Sequence, residues 1–453
     1  MNSARLHPLE LYCLNTEAKT KKQICIGKIH GSAIFEQILS TTGTYKYAIY
    51  QEMENKVWQL DTRLEYEGFI PLAKTPLTHP SEPLEYETEE ALYNNVKAFI
   101  YNHLDLINPL GYDILTAFVF STWIPELFDF TPYVGFYGRE SVGKTRGLEV
   151  LQQLCFRAWL TTNLTTATLF RLTEKFAPTL LLDESEFLTA EDKKELIGLL
   201  NSGQRRGIFI PRMKGEHSEE IEFFNVYSPK AISGTQQLKR TITSRMIVFT
   251  MTKNIRPIPR RINTTEGQKL RSQLLMWRFK TITNLKNLGI ELKATAEFPD
   301  LEPLSGRLFE LIYPLYYSAP SKEAKQNILQ FSRELEESKL QAEKTALASQ
   351  IFEAIINTKD TFARKGLLLI KDIANYINTN EPPQNWIPEK TIARKCRQMG
   401  FELTRTTRGT ATILNNQIIE RLRRDPRYST DLFNYEANER NEAKKDTVSE
   451  WMK

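Results

Sequence analysis

The chain has few of the residues that build metal and disulfide frameworks. It carries four cysteines, Cys13, Cys25, Cys155 and Cys396, far apart and with no CxxC pair, and five histidines. That spacing excludes a zinc finger and argues against a disulfide framework and a metal hydrolase. No G-x-S-x-G element points to an esterase. No apolar run approaches the roughly 18–20 residues that a membrane-spanning helix needs. The best candidate, Ile114 to Phe120, soon meets Ser121, Pro125 and Glu126. The opening residues, MNSARLHPLELYC, lack the apolar core of a secretory signal. A soluble, cytoplasmic chain with no membrane partner is therefore expected.

What is present is ordinary globular composition: 453 residues, 41% hydrophobic and 25% charged, which excludes a mostly disordered chain. The net charge is only +5, but it is unevenly placed. Pro388 to Arg427 holds ten Lys or Arg against four acids, a local +6, so the remaining 413 residues sum to −1. A basic cluster on an otherwise neutral protein suits a localised anionic partner such as nucleic acid, or a solvated surface helix.

The apolar pattern divides the chain into segments. Residues 1–75 read as a small β-rich domain with runs at Gln23–Ile29, Tyr45–Tyr50 and Lys56–Leu60, and Pro71–Pro83 reads as a linker. A helical lead-in is expected over 84–130, where Leu92, Val96 and Ile100 recur at helical spacing. Strand-like runs alternate with helices over 131–260, as an α/β sheet requires. A helical lid and connector is expected over 261–358, a DNA-binding domain over 359–420, and a basic and polar tail over 421–453.

Gly138-Arg-Glu-Ser141-Val-Gly143-Lys144-Thr145 matches G-x-x-x-x-G-K-[ST]. A strand, Tyr133–Tyr137, runs into it, and a helix starting at Arg146 follows. Glycines let backbone N–H groups close around phosphate oxygens while the helix N-terminus adds its dipole. Lys144 would neutralise the β- and γ-phosphates of ATP, and the Thr145 hydroxyl would hold Mg²⁺. Pro178-Thr-Leu-Leu-Leu-Asp183-Glu184 is an apolar strand ending in two carboxylates. Asp183 suits the metal, and Glu184 suits the general base that polarises the attacking water.

The order of these motifs, with Phe170-Arg-Leu-Thr-Glu-Lys-Phe ahead of the acidic strand and Leu200-Asn-Ser-Gly-Gln-Arg-Arg-Gly207 after it, resembles the AAA+ helicase-like ATPases of plasmids, phages and integrated elements. These are relatives of the minichromosome maintenance and superfamily-3 replicative helicases. The resemblance covers roughly residues 85–330 and implies an AAA+ P-loop core with a helical lid, assembled as a hexameric ring. It implies a sensor strand lying between the two motif strands, here Tyr227–Thr235, with Ser233 or Thr235 reading the γ-phosphate and Thr235 preferred. It implies an arginine finger acting on a neighbouring subunit, for which Arg245 is the candidate and Arg240 the runner-up. It implies a pore hairpin, here Ile208–Met213 and Ile221–Val226, with Lys214 and His217 at the tip to grip single-stranded DNA. Arg307, in an apolar stretch resembling the lid helix, would reach the nucleotide, and Arg146 joins the nucleotide-binding set.

In the C-terminal segment, Leu369–Ile377 reads as one helix and Pro388–Met399 as a second with Lys390, Arg394 and Arg397 opposite its apolar stripe. Phe401–Ile413 reads as a hairpin carrying Arg405 and Arg408. Helix, turn, basic helix and basic hairpin is the winged-helix arrangement, which places its second helix in the major groove of duplex DNA. The expected function is an ATP-dependent DNA helicase or translocase in replication of a mobile genetic element. The alternative is a non-translocating AAA+ initiator or regulator that uses ATP as an assembly switch.

Overall fold

A computed structural model describes residues 22–425 and Tyr428, apart from 54–56, 163–165, 184–189, 214–219, 236–239, 288–298, 302–303, 305, 345–346, 380–381 and 383–385. The chain divides into two compact units, Met1–Ser332 and Arg333–Lys453.

The first unit opens with an antiparallel meander, β1 (Gly27–His30), β2 (Ala33–Leu39), β3 (Tyr45–Glu52) and β4 (Trp58–Arg63), hydrogen-bonded in that order. β2 is buried on both faces apart from its last residue. Burial on both faces drags Glu36 and Gln37 inside, where both need partners. Gln37 finds one in the Pro-rich stretch, exchanging hydrogen bonds with the Leu72 backbone at 3.1 and 2.8 Å. The stretch that composition marks as a linker is laced into its surroundings. Leu39 N–H donates to the Pro80 carbonyl (3.0 Å), Thr78 N–H to that of Ala158 (2.9 Å) and Leu84 N–H to that of Ser272 (3.0 Å). Proline sets the backbone angles of such a segment but says nothing about what its remaining N–H groups can reach.

Two helices follow. α1 (Glu89–His103) is capped by Thr88, whose side chain accepts from Ala91 N–H at 3.0 Å, with Glu89 and Glu90 in the first turn to suit the helix dipole. α2 (Gly111–Trp123) is buried along its whole length and packs against α1.

The central layer is a parallel sheet. β5 (Tyr133–Tyr137) leads through the phosphate-loop motif into α3 (Lys144–Leu154). β6 (Ala158–Thr161), α4 (Thr166–Phe176), β7 (Thr179–Leu182) and α5 (Ala190–Ser202) come next. A hairpin of β8 (Phe209–Met213) and β9 (Ile221–Asn225) precedes β10 (Lys230–Gly234) and β11 (Met246–Thr250). The sheet order is β11-β5-β10-β7-β6, every pair parallel. β5, β7 and β10 read YVGFY, TLLL and KAISG and are wholly buried, the near-continuous apolar run of strands covered on both faces. Helices α6 (Thr264–Asn287) and α7 (Gly306–Ser318) complete this unit, α6 packing on α1, α2 and α3 and α7 on α2. α8 spans Lys322–Lys344.

The second unit runs α9 (Leu347–Phe362), β12 (Leu367–Leu369), α10 (Ile370–Asn378), α11 (Glu389–Gln398), β13 (Leu403–Thr406), β14 (Gly409–Ile413) and α12 (Asn416–Arg423). Its three strands form an antiparallel sheet in the order β12-β14-β13. Ile355, Ile373, Ile392 and Cys396 are core residues contributed by three of its helices. No helix among the described residues is long and apolar enough to cross a membrane.

Candidate active site

The parallel sheet delivers its loops to one end, the carboxyl ends of the strands, and the phosphate-loop motif lies there. Gly138 leaves β5 so close to the next chain that a β-carbon on it would sit 2.4 Å from the Met251 carbonyl oxygen. Ser141 and Gly143 turn the loop through left-handed backbone, at φ 59° and 89°, and Gly143 caps α3. Lys144 bends back across the loop, its Nζ donating to the Gly138 carbonyl at 3.1 Å. The amine is thus held over the loop at a helix N-terminus, whose first N–H groups lack intrahelical partners and suit a phosphate.

β10 is hydrogen-bonded to β5 on one side and to β7 on the other. Its pairing sets Ile232 opposite Leu182, so Ser233 stands beside Asp183, one residue beyond the end of β7. The Ser233 hydroxyl donates to Asp183 Oδ1, and both residues are buried. The Asp183 N–H donates to the Thr161 carbonyl at 3.0 Å, which fixes its backbone. Thr235 is exposed just past β10, beside the phosphate loop, because Gly138 N–H donates to the Gly234 carbonyl at 3.4 Å. The two hydroxyl residues at the end of β10 therefore differ in burial: Ser233 is buried on the carboxylate, whereas Thr235 is exposed one residue beyond the strand. The oxygen donors Thr145 and Asp183 suit Mg²⁺, a hard cation that takes hydroxyl and carboxylate oxygens. Glu184 lies outside the described residues.

Arg146 is engaged with backbone. Its guanidinium donates to the carbonyls of Pro259 (2.6 Å), Arg260 (3.2 Å) and His103 (3.4 Å), tying α3 to α1 and to the chain leaving β11. Next to it lies a cavity of about 570 Å³ lined by Asn102, His103, Arg256, Arg261, Asn263 and Glu266 among others. His103 is buried there, with Nδ1 2.8 Å from the Phe99 carbonyl and Nε2 3.2 Å from Asn263 N–H. An Nδ1–H tautomer satisfies both contacts.

Arg245 lies at the end of the sheet opposite its own loop, since Met246 pairs with Tyr133 and Thr250 with Tyr137. Arg245 precedes β11, and Arg307 lies exposed in the first turn of α7. Burial pushes the Arg245 guanidinium below its usual range, and the Arg307 charge adds to the effect.

The arms of the hairpin pair from Phe209↔Asn225 to Met213↔Ile221. One face packs inward through Phe224 and through Arg212, which lies 4.4 Å from the Phe170 ring centre. The other face exposes Phe209, Met213, Ile221 and Phe223. Lys214 and His217 lie outside the described residues. At the base of the hairpin Lys230 is fully buried, its Nζ donating to the carbonyls of Ser228 (2.8 Å) and Val226 (3.1 Å) and to the Ser228 hydroxyl (3.1 Å). Burial pulls its pKa well down. Sequence reasoning passed over this residue, although a lysine opening the apolar run Ala231–Ile232 was a visible signal.

In the second unit Ile392 and Cys396 bury one side of α11, while Lys390, Arg394 and Arg397 are exposed. Arg405 and Arg408 are exposed on the β13–β14 hairpin, whose turn is closed by Thr406 Oγ1 donating to the Gly409 carbonyl at 2.8 Å. All five predicted cations of this unit therefore face solvent.

No protein-family model matches the chain, and no curated protein is similar to it. Among solved structures, the A form of the apo NrS-1 C-terminal region is similar over 84% of this chain and 96% of its own, at 14% identity and a TM-score of 0.33. The inhibitor-bound JCV helicase is similar over 59% of this chain, at 14% identity and a TM-score of 0.24. The chain spans 65% of that helicase chain's length.

Proposed function

We propose that the chain is an ATP hydrolase of the AAA+ class that acts on DNA as a helicase or translocase, assembled as a ring of copies, in replication of a mobile genetic element. The observation that carries the reading is the seating of β10 between β5 and β7, with Ser233 on Asp183 and Thr235 at the phosphate loop. A passive phosphate binder has no use for a third strand that links the loop to a buried carboxylate.

The N–H groups of the Gly138–Gly143 loop and the Lys144 amine bind the polyphosphate of ATP. Thr145 and Asp183 would hold Mg²⁺, which would supply charge neutralisation on the polyphosphate. Glu184 takes a proton from the attacking water as its oxygen bonds the γ-phosphorus. The bond to the β,γ-bridging oxygen breaks, and ADP leaves with the electron pair. Thr235 reads the γ-phosphate, and Arg245 of a second copy stabilises the developing charge. Lys214 and His217 contact single-stranded DNA. The second unit is a winged helix that holds duplex DNA through Lys390, Arg394, Arg397, Arg405 and Arg408.

Strand separation on a forked DNA tests the reading. Lys144→Ala is expected to abolish both hydrolysis and unwinding, and Lys214→Ala to abolish unwinding alone. ATP hydrolysis that needs Lys144, with no unwinding and no effect of Lys214→Ala on DNA affinity, would assign the chain to a non-translocating initiator that uses ATP as an assembly switch.

A further inference from the structure

Lys230 is a cation where the sequence around it asks for an apolar residue. It opens β10, the strand that carries Ser233, and it is wholly buried. Among the described residues no charged group offsets that burial. An apolar side chain of similar volume would avoid the cost of burying a lone cation.

The amine sits in a cage of oxygens supplied by three separate stretches of chain. The Gly203 carbonyl, just past α5, lies 3.5 Å away, and the Val226 carbonyl, just past β9, 3.1 Å away. Ser228 adds its carbonyl at 2.8 Å and its hydroxyl at 3.1 Å. The Tyr133 ring covers the cage, its centre 5.0 Å from the Nζ. Gly203 leaves the amine its room: a β-carbon there would lie 2.6 Å from the Nζ and 2.4 Å from the Val226 carbonyl oxygen. The three carbonyls only accept, and an ammonium brings three donors to one point.

The cage stands where the hairpin joins the sheet. Residues 226–229 connect β9 to β10. Within them the Pro229 carbonyl accepts from Leu180 N–H of β7 at 3.0 Å, and Ser228 N–H donates to the Gly203 carbonyl at 3.2 Å. Ser233 follows Lys230 by three residues on the same strand, about 10 Å at roughly 3.3 Å each.

We propose that Lys230 is a positioning residue: its ammonium binds the exit of the hairpin and the end of α5 to β10 as one piece, so that a load on the hairpin reaches Ser233 and Asp183 and sets the rate of hydrolysis. The role belongs to the charge of the side chain and not to its bulk. The proposal rests on the reading of the hairpin as a DNA contact and of the sheet end as a site of ATP hydrolysis.

Rates of ATP hydrolysis with and without single-stranded DNA test it. Lys230→Met keeps most of the volume and removes the cation. Its hydrolysis without DNA and its DNA affinity by fluorescence anisotropy are expected to stay within about twofold of wild type, while the acceleration by DNA is lost. Lys230→Ala leaves a cavity for n-propylammonium, which is expected to restore the acceleration, whereas n-propanol, of the same size and uncharged, is not. Ser228→Ala takes only the hydroxyl from the cage and serves where Lys230→Met does not fold; it is expected to lose part of the acceleration and neither of the other two properties. Equal slowing of both rates, or rescue by propanol as well as by propylammonium, makes Lys230 a packing residue and overturns the proposal. Acceleration kept in full by Lys230→Met, or by Ser228→Ala where that variant stands in, overturns the proposal alone. Wild-type hydrolysis that DNA does not accelerate overturns the functional reading and the proposal together.

Discussion

Arg278→Met tests whether the meander is an integral part of the unit built on the parallel sheet or merely attached to it. Arg278 on α6 joins two carboxylates from distant parts of the chain: its Nη1 donates to Glu126 Oε2 at 2.8 Å and its Nε to Glu36 Oε1 at 3.3 Å. Arg157, at the turn into β6, reaches Glu36 Oε2 at 2.6 Å and the Phe176 carbonyl at 3.1 Å. The two guanidinium carbons each lie 4.6 Å from the Phe156 ring centre. All four charged residues are at most 8% exposed, and their charges sum to zero. Burial alone would pull Arg278 down, but Glu126 and Glu36 outweigh it and hold its proton more tightly than usual. Methionine keeps much of the volume and removes the cation, leaving a buried net charge of −1. Breaking one partner of a buried ion network costs about 3–5 kcal/mol. For a unit of this size that lowers the melting temperature by roughly 5–10 °C. Glu126 lies just ahead of β5 and Arg157 just ahead of β6, so ATP affinity is expected to fall as well. Adding Glu126→Gln restores neutrality and should recover about half of the loss. Differential scanning calorimetry on the three variants and wild type reads this directly. A cost for Arg278→Met below about 1 kcal/mol would falsify the view that buried charge pins the meander to the sheet.

Gly138→Ala forces a β-carbon to 2.4 Å from the Met251 carbonyl oxygen and 2.9 Å from Val142 Cγ2, so the loop must shift. ATP-analogue affinity should drop at least about tenfold for a stability change of about 1–3 kcal/mol, and unchanged affinity would mean that the loop tolerates the shift. Ser233→Ala removes the hydroxyl from Asp183 Oδ1. Titration of nucleotide binding with Mg²⁺ should then need several-fold more metal, while binding without metal stays the same. His79 is buried with Nδ1 3.2 Å from the Gln37 carbonyl, and burial pulls its pKa down to about 4. The unfolded chain, at about 6.5, binds that proton more readily, so the stabilisation is complete above pH 6.5 and is lost as pH falls toward 4, by up to about 3 kcal/mol. His79→Gln should flatten that part of the pH–stability curve, and an unaltered slope would exonerate His79.

The phosphate loop was legible because its chemistry is local: glycines, lysine and threonine must be neighbours in sequence to be neighbours around a phosphate. The acidic strand was legible for the same reason, as an apolar run that ends in carboxylates. Ser233 and Thr235 differ by one period of a strand, and both lie near the site. Only the pairing of Ile232 with Leu182 decides that Ser233 meets Asp183. Arg146 sits in a motif that suggests nucleotide contact, yet its acceptors at His103, Pro259 and Arg260 are 43 to 114 positions away. No local pattern announces a partner so remote. The Pro71–Pro83 stretch reads as a linker because composition reports backbone stiffness and is silent about Gln37, which binds it from 35 positions away.

The same limit applies to Arg245, and there the topology adds what the motif lacks. In a parallel sheet all strand ends of one kind lie on one side, so a residue that precedes a strand and a loop that follows one are kept a strand's length apart. Arg245 precedes β11 and the loop follows β5, and these two strands are neighbours in register. No side-chain rearrangement within one copy closes that distance.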